Sequence, residues 1–361
     1  MLMARELDQG GVERDVAKIA THLDPARFET HVGSYNAHGM RYDELRAAGI
    51  PLLHLPVKSL FSREALQSAI RLTEYLKQHA IQVLHCYDPT AALAVPAARC
   101  AGLPAILSSQ LCYREIQDPK TTLLSRMTDV ISDAVVVNCK AIQQYMIDIE
   151  GVPAKRVELC YNGVDTTQFY PADAPRPDIL ASASLVVGTL CALRPEKGLP
   201  LLQEGFARAV RPAGTKLAIV GSGAELPTLR QNADRLGITA DSLFVPATTE
   251  APRWMRAMDI FVLPSYSEAF SNSLLEAMAC GCAAIGSRVG GTPELIADGE
   301  RGLLFEPGNA AELAHKLSLL MREQDLRRDL GARAAQFARQ NLTIEIAARR
   351  TAAIYEKLLR R

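Results

Sequence analysis

The sequence carries no excess of either charge. Its 40 Lys and Arg balance its 40 Asp and Glu. That balance argues against a dedicated nucleic-acid binder, which would carry a basic surplus. The spacings of metal and disulfide frameworks are also missing. The eight cysteines stand singly except for Cys280 and Cys282, no C-x-x-C pair occurs, and there is no H-E-x-x-H. Reduced thiols, most of them small buried filler, and no bound metal are the expectation. No run reaches the roughly 18–20 uninterrupted apolar residues of a membrane span. The longest, at 91–107, is interrupted by Pro96, Arg99 and Pro104. The first residues already carry Arg5 and Glu6 and show no signal-peptide pattern, so a cytoplasmic protein is expected.

What remains is a chain of 361 residues, 48% hydrophobic and 22% charged, a globular composition long enough for two cores. Short apolar runs alternate with helical patterns. In the first half the strand candidates lie at 30–35, 51–55, 82–87, 105–109, 134–138 and 157–161. In the second half they lie at 185–193, 216–221, 243–247, 260–264 and 282–287. Runs of this length fit strands buried on both faces of a parallel sheet, joined by β-α-β crossovers. Between the halves Pro171, Pro175 and Pro177 interrupt any regular element. The expected division is a first domain at 1–168, a linker at 169–184, a second domain at 185–343, and a last helix at 344–361 that crosses back to the first. The expected class is α/β, two Rossmann-like parallel-sheet domains with a ligand held between them at the carboxyl ends of the strands. The strand that should precede Gly10 and Gly11 has little room: either it is short or the sequence lacks a few residues at its start. The tail is basic (Arg349, Arg350, Lys357, Arg360, Arg361), which reads either as a solvated helix face or as a peripheral contact with an anionic membrane.

The segment at 265–281 carries the densest chemical signal. It leaves an apolar strand at Leu263-Pro264, passes through a polar loop and enters a helix near Ser271 that stops at Gly281. The amides of Ser271, Asn272 and Ser273 would stand at that helix N-terminus, which attracts phosphate. Glu268 and Glu276, separated by seven residues, can accept hydrogen bonds from sugar or ribose hydroxyls. Ser273 and Glu276 also have the spacing of a capping box, which would make Glu276 a helix-end device. Spacing alone leaves the two readings open. The Gly221-Ser222-Gly223 loop lacks the third glycine of a dinucleotide fingerprint, since position 226 is Leu. It reads better as a backbone turn beneath a nucleotide.

The whole segment resembles the retaining family-4 glycosyltransferases of the GT-B fold. Further motifs carry the resemblance: Gly10-Gly11-Val12-Glu13 in the first loop, Asn162-Gly163-Val164-Asp165 with Phe169, and Arg194-Pro195-Glu196-Lys197-Gly198. Gly221 with Gly223, Gly290-Gly291-Thr292-Pro293-Glu294, and Asp298-Gly299 with Gly302 complete the series. The resemblance implies transfer of a sugar, with retention, from a UDP-sugar or GDP-sugar to a glycan, lipid-linked or small-molecule acceptor, as in bacterial polysaccharide or glycolipid synthesis. No cofactor is implied beyond the nucleotide-sugar substrate, and no metal. Lys197 would neutralise the diphosphate. Glu268 would hold the donor sugar and Glu276 the ribose, with Gly10, Gly11, Gly221, Phe270, Ser271, Asn272 and Leu275 completing the donor contacts. A fixed cation suits this chemistry because negative charge grows on the leaving diphosphate.

Two positions depart from the family's pattern. Where the family carries an Arg five residues before the Lys, this chain has Ala192, with Arg194 as the nearby substitute. Where many members carry a His at the end of the fourth strand, this chain has Tyr87, with His85 two residues earlier on the same strand face. Both Arg194 and Tyr87 are taken as catalytic candidates. The departures motivate a rival reading, a non-catalytic sugar-nucleotide or polysaccharide-binding module; a nucleotide-sugar epimerase is a second. The acceptor would be read by loops of the first half such as 110–120.

Overall fold

The computed structural model describes residues 1–361 except Gln9, Phe61, Asp88, Pro89, Gln117 and Arg361. Gln9 of the first loop, Asp88 and Pro89 at the end of the fourth strand, Gln117 of the 110–120 loop and Arg361 of the basic tail thus lie outside the described residues. The chain forms two compact units: Met1–Gly163 together with Ile344–Arg361, and Val164–Thr343.

The first unit holds a seven-stranded parallel sheet. Its strands are β1 (Leu2–Ala4), β2 (Val32–Ser34), β3 (Leu52–His54), β4 (Val83–Tyr87), β5 (Ala105–Gln110), β6 (Ala134–Val137) and β7 (Val157–Leu159), in the order β3-β2-β1-β4-β5-β6-β7. β1 is only three residues long and pairs with both β2 and β4. The last helix, Ile344–Leu359, packs on helix Gly11–His22, and its inner face (Ala347, Ala348, Ile354, Tyr355) joins the core beneath this sheet. Two of its cations are engaged: Arg350 donates to Leu159 O at 3.1 Å, and Lys357 pairs with Glu158.

The second unit holds a six-stranded parallel sheet of β8 (Leu185–Leu190), β9 (Thr215–Val220), β10 (Ser242–Val245), β11 (Ile260–Leu263), β12 (Ala283–Ser287) and β13 (Gly302–Phe305), in the order β10-β9-β8-β11-β12-β13. β11 is Ile-Phe-Val-Leu, fully buried, as a central strand covered on both faces requires. β13 is absent from the sequence-derived strands, because a four-residue strand that opens on a glycine leaves too short an apolar run to separate from a turn. Residues 164–184 belong to this unit, with Phe169 and Leu180 buried. In both sheets the chain runs outward on one side of its first strand and then resumes on the other. The resulting switch points, β1/β4 and β8/β11, are where the strand-to-helix loops diverge and leave room for a ligand.

Candidate active site

The switch point of the second sheet brings two sequence-distant loops together. After β8, Leu193 and Leu199, both buried, pin the ends of a single 3-10 turn, Pro195–Lys197. Gly198 then takes φ +62°, and a Cβ there would lie 2.2 Å from Pro264 O. Only glycine lets this loop approach the end of β11 so closely. After β11, Pro264, which cannot donate to a ladder, ends the strand. Tyr266 N donates to Glu196 O across the two loops at 2.8 Å. In this frame Lys197 Nζ stands 2.7 Å from Glu268 Oε2, with side chains 21% and 12% exposed. Burial works against the lysine's charge, but the adjacent Glu268 carboxylate outweighs it and raises the Lys197 pKa above its ordinary value. The ammonium is therefore charged throughout the neutral range.

Two residues that the sequence reading did not assign hold Glu268. Ser265, fully buried, donates to Glu268 Oε2 at 3.3 Å, and Ser287 Oγ donates to Ser265 O at 2.5 Å. Gly290, at φ +49°, lies so close that a Cβ would sit 1.6 Å from Glu268 O, and Gly291 N donates to Ala269 O at 2.7 Å. The glycine pair after β12 could have been read as a close-approach signal; the serines carry no comparable pattern.

Helix Asn272–Ala279 begins beside this pair. Its N-cap is Ser271, whose Oγ accepts from Leu274 N at 3.3 Å. Asn272 and Ser273 thus supply first-turn amides, where an anion is favoured. The helix closes with Gly281 at φ +84°, Gly281 N on Met278 O and Cys282 N on Ala277 O, the paired bonds of a Schellman end. This register decides the capping question. With Ser271 as N-cap the third helical position is Leu274, whereas Glu276 is the fifth, too far along for a capping box. Glu276 is 1% exposed. Phe270 and Leu275 are also buried, and the Leu275 amide is bonded to Ser271 O. On the β9 side a Cβ on Gly221 would lie 1.9 Å from Cys191 O, so this turn lies tight against the loop after β8.

Arg194 is on the same loop as Lys197, but its side chain is 69% exposed and its nearest carboxylate, Glu196, is 3.9 Å away. Gly10 and Gly11 are in the first unit, exposed, at the start of helix Gly11–His22. Tyr87 also lies in the first unit, buried, its ring 4.4 Å from that of His85. His85 Nδ1 is 2.7 Å from the Tyr355 hydroxyl and Nε2 is 2.8 Å from Ser109 Oγ. Burial lowers its pKa to about 3, so it remains neutral and ties the last helix to the sheet. Tyr87 borders a small cavity that also takes in Asp15, Lys18, Cys160 and Asn162, at the carboxyl end of the first sheet. Among the described residues no three His, Cys, Asp or Glu side chains gather as a metal site, and no helix is long and apolar enough to cross a membrane.

Comparison with known proteins bears on both units. The model of the family "Glycosyltransferase Family 4" matches residues 9–168, and that of "Glycosyl transferases group 1" matches residues 179–337. N-acetyl-alpha-D-glucosaminyl L-malate synthase of Bacillus anthracis is 26% identical over 82% of this chain and 80% of its own length. D-inositol 3-phosphate glycosyltransferase of Salinispora arenicola is 31% identical over 65% of this chain, and the match spans 58% of that relative's length. Among solved structures, Anabaena Alr3699/HepE in complex with UDP and glucose superposes with a TM-score of 0.88 at 21% identity, covering 99% of this chain and 98% of that one.

Proposed function

The chain belongs to glycosyltransferase family 4, the group 1 glycosyl transferases, and from that premise we propose that it moves a sugar, with retention, from a nucleoside-diphosphate sugar bound in its second unit. The observation that carries the reading is the Lys197–Glu268 pair, 2.7 Å apart at the β8/β11 switch point, beside the N-terminus of helix Asn272–Ala279. Lys197 and the first-turn amides stabilise the charge that develops on the leaving diphosphate. Glu268 accepts from hydroxyls of the donor sugar, and Glu276 from those of the ribose. Neither carboxylate is assigned as a nucleophile. The bond from the anomeric carbon to the phosphate oxygen breaks, the bond to the acceptor oxygen forms on the same face, and the acceptor proton passes to the leaving phosphate. No metal is required for this scheme.

The acceptor binds at the carboxyl end of the first sheet, near Tyr87. The relatives' names speak of L-malate and D-inositol 3-phosphate, which puts a small hydroxylated acceptor ahead of a glycan or a lipid-linked one. The Anabaena complex makes UDP the first nucleotide to test. The test is a screen for nucleoside-diphosphate release over UDP-sugars and GDP-sugars, with and without acceptors, alongside calorimetry with UDP and GDP. Acceptor-dependent release is expected. Nucleotide binding without turnover across the acceptor panel would favour a non-catalytic module, and acceptor-independent conversion of the donor to another nucleotide sugar would favour an epimerase.

A further inference from the structure

The two carboxylate oxygens of Glu268 are in different situations. Oε2 takes both side-chain partners, Lys197 Nζ at 2.7 Å and Ser265 Oγ at 3.3 Å. Oε1 accepts from no group among the described residues and is not sealed from solvent. The two partners are themselves unlike. Lys197 ends a long side chain that is 21% exposed, and its ammonium has three donors to distribute. Ser265 is fully buried, with a single short torsion behind its hydroxyl. Its backbone is fixed between two neighbouring strands. It follows Pro264 at the end of β11, and its carbonyl accepts at 2.5 Å from Ser287 Oγ, on the last residue of β12 and also fully buried.

This arrangement has to change when a diphosphate arrives. Phosphate oxygens then compete with Glu268 for the Lys197 ammonium. A carboxylate only 12% exposed would be left with a weakened partner beside a second anion, and repulsion would turn it away from the donor. The Ser265 hydroxyl cannot be drawn off in the same way. At 3.3 Å its bond to Oε2 is long for a hydroxyl on a carboxylate. Such bonds are often long in a free enzyme and tighten in the complex. We propose that Ser265 is a positioning residue of the donor site. It keeps Oε2 in place as Lys197 turns to the diphosphate, so that Oε1 is left for a hydroxyl of the donor sugar. The proposal rests on the transferase reading of this site. It adds a residue that serves recognition of the sugar and not of the nucleotide.

The test uses the full chain and Ser265→Ala, which removes the hydroxyl and little volume. Binding of UDP and GDP, and of UDP-glucose, UDP-N-acetylglucosamine and GDP-mannose, is measured by calorimetry. Nucleoside-diphosphate release from the same sugars is followed alongside. The lost bond is to a charged group, so the variant should lower kcat/KM for the donor, and weaken its binding, by about tenfold to a hundredfold. The bare nucleotide has no sugar for Glu268 to meet, so its affinity should be unchanged. In a Glu268→Ala background Ser265→Ala should cost nothing further, because it acts through that carboxylate alone. Ser265→Thr returns the hydroxyl and should recover most of the loss; if its added methyl lowers the melting temperature, the Glu268→Ala background decides. An equal loss of affinity for bare nucleotide, or a further loss in the Glu268→Ala background, would assign Ser265 to the structure of the loop and overturn the proposal. Full kcat/KM in Ser265→Ala overturns it and leaves the transferase reading standing. Nucleotide-sugar binding weakened by Ser265→Ala, in a chain that turns over no donor with any acceptor, refutes the transferase reading and leaves the positioning role. A parent chain that binds none of these nucleotides overturns both.

Discussion

Replacing Lys197 with alanine separates two effects that the fold combines in one side chain. The first is on catalysis. About one unit of charge develops on the diphosphate as the glycosidic bond breaks. A cation about 4 Å away is worth roughly 4 kcal/mol at an effective dielectric constant of about 20. Loss of one preorganised charge-stabilising donor typically lowers turnover by about 10²–10³, so a fall of two to three powers of ten in kcat is expected. The second effect is on stability. From sequence, a cleft-surface lysine would be dispensable for folding. In the structure its removal leaves Glu268, 12% exposed and 2.7 Å from the missing ammonium, as a largely buried carboxylate without its cation. Removing one member of a fully buried pair costs about 3–5 kcal/mol; with the lysine 21% exposed, roughly 1–3 kcal/mol is expected here. Adding Glu268→Gln to Lys197→Ala should recover most of that stability and none of the turnover. Thermal melting and a continuous assay of nucleoside-diphosphate release on the wild type, the single variants and the double variant give both answers. Near-normal turnover in Lys197→Ala would show that the leaving group is handled elsewhere, and equal melting of the single and double variants would show that the pair does not hold these loops.

Glu276→Gln should weaken nucleotide binding tenfold or more by calorimetry with melting nearly unchanged. A stability loss on the cap scale of about 0.5–2 kcal/mol with unaltered affinity would defeat the ribose role. In the proposed scheme Lys197 and the helix N-terminus supply the positive charge, so chelation with EDTA should leave donor turnover largely intact; loss of activity that magnesium or manganese restores would show that the diphosphate is held through a metal. His85 is neutral in the fold and titrates near 3, whereas in the unfolded chain it titrates near 6.5. The unfolded state therefore takes up the proton first, and stability is lost as pH falls from about 6.5 toward 3, by about 2 kcal/mol at pH 5. His85→Gln should flatten that stretch of the melting profile, and an unchanged slope would mean that other groups dominate the acid response.

The strands were legible wherever apolar runs were long. The sequence-derived run at 260–264 differs by one residue from β11, because a strand buried on both faces leaves an uninterrupted apolar signature. β13 was not, since it opens on Gly302 and is fixed by pairing with β12 rather than by its own pattern; the strand expected before Gly10 is β1, three residues long. The site was legible as a set of residues and not as an arrangement. Arg194 and Lys197 share one motif, yet one points to solvent and the other is paired, a difference that depends on which loop lies across from each. Glu276 stood between two roles until Ser271, two residues before Ser273, proved to be the cap.

The sequence by itself determined the alternation of strands and helices, the division into two sheets, the family, and the candidate residues for a diphosphate and a sugar. These follow from composition, periodicity and motif order, which are local properties of the chain. Only the tertiary structure decided that Lys197 and Glu268, 71 positions apart, form a pair. That pairing depends on the strand order, which places β8 beside β11 although β9 and β10 intervene in the sequence. It also decided that His85 is a neutral anchor and that the tail's Arg350 and Lys357 are engaged with Glu158. Burial and charge pairing depend on which surfaces meet in three dimensions, and spacing along the chain does not carry that information.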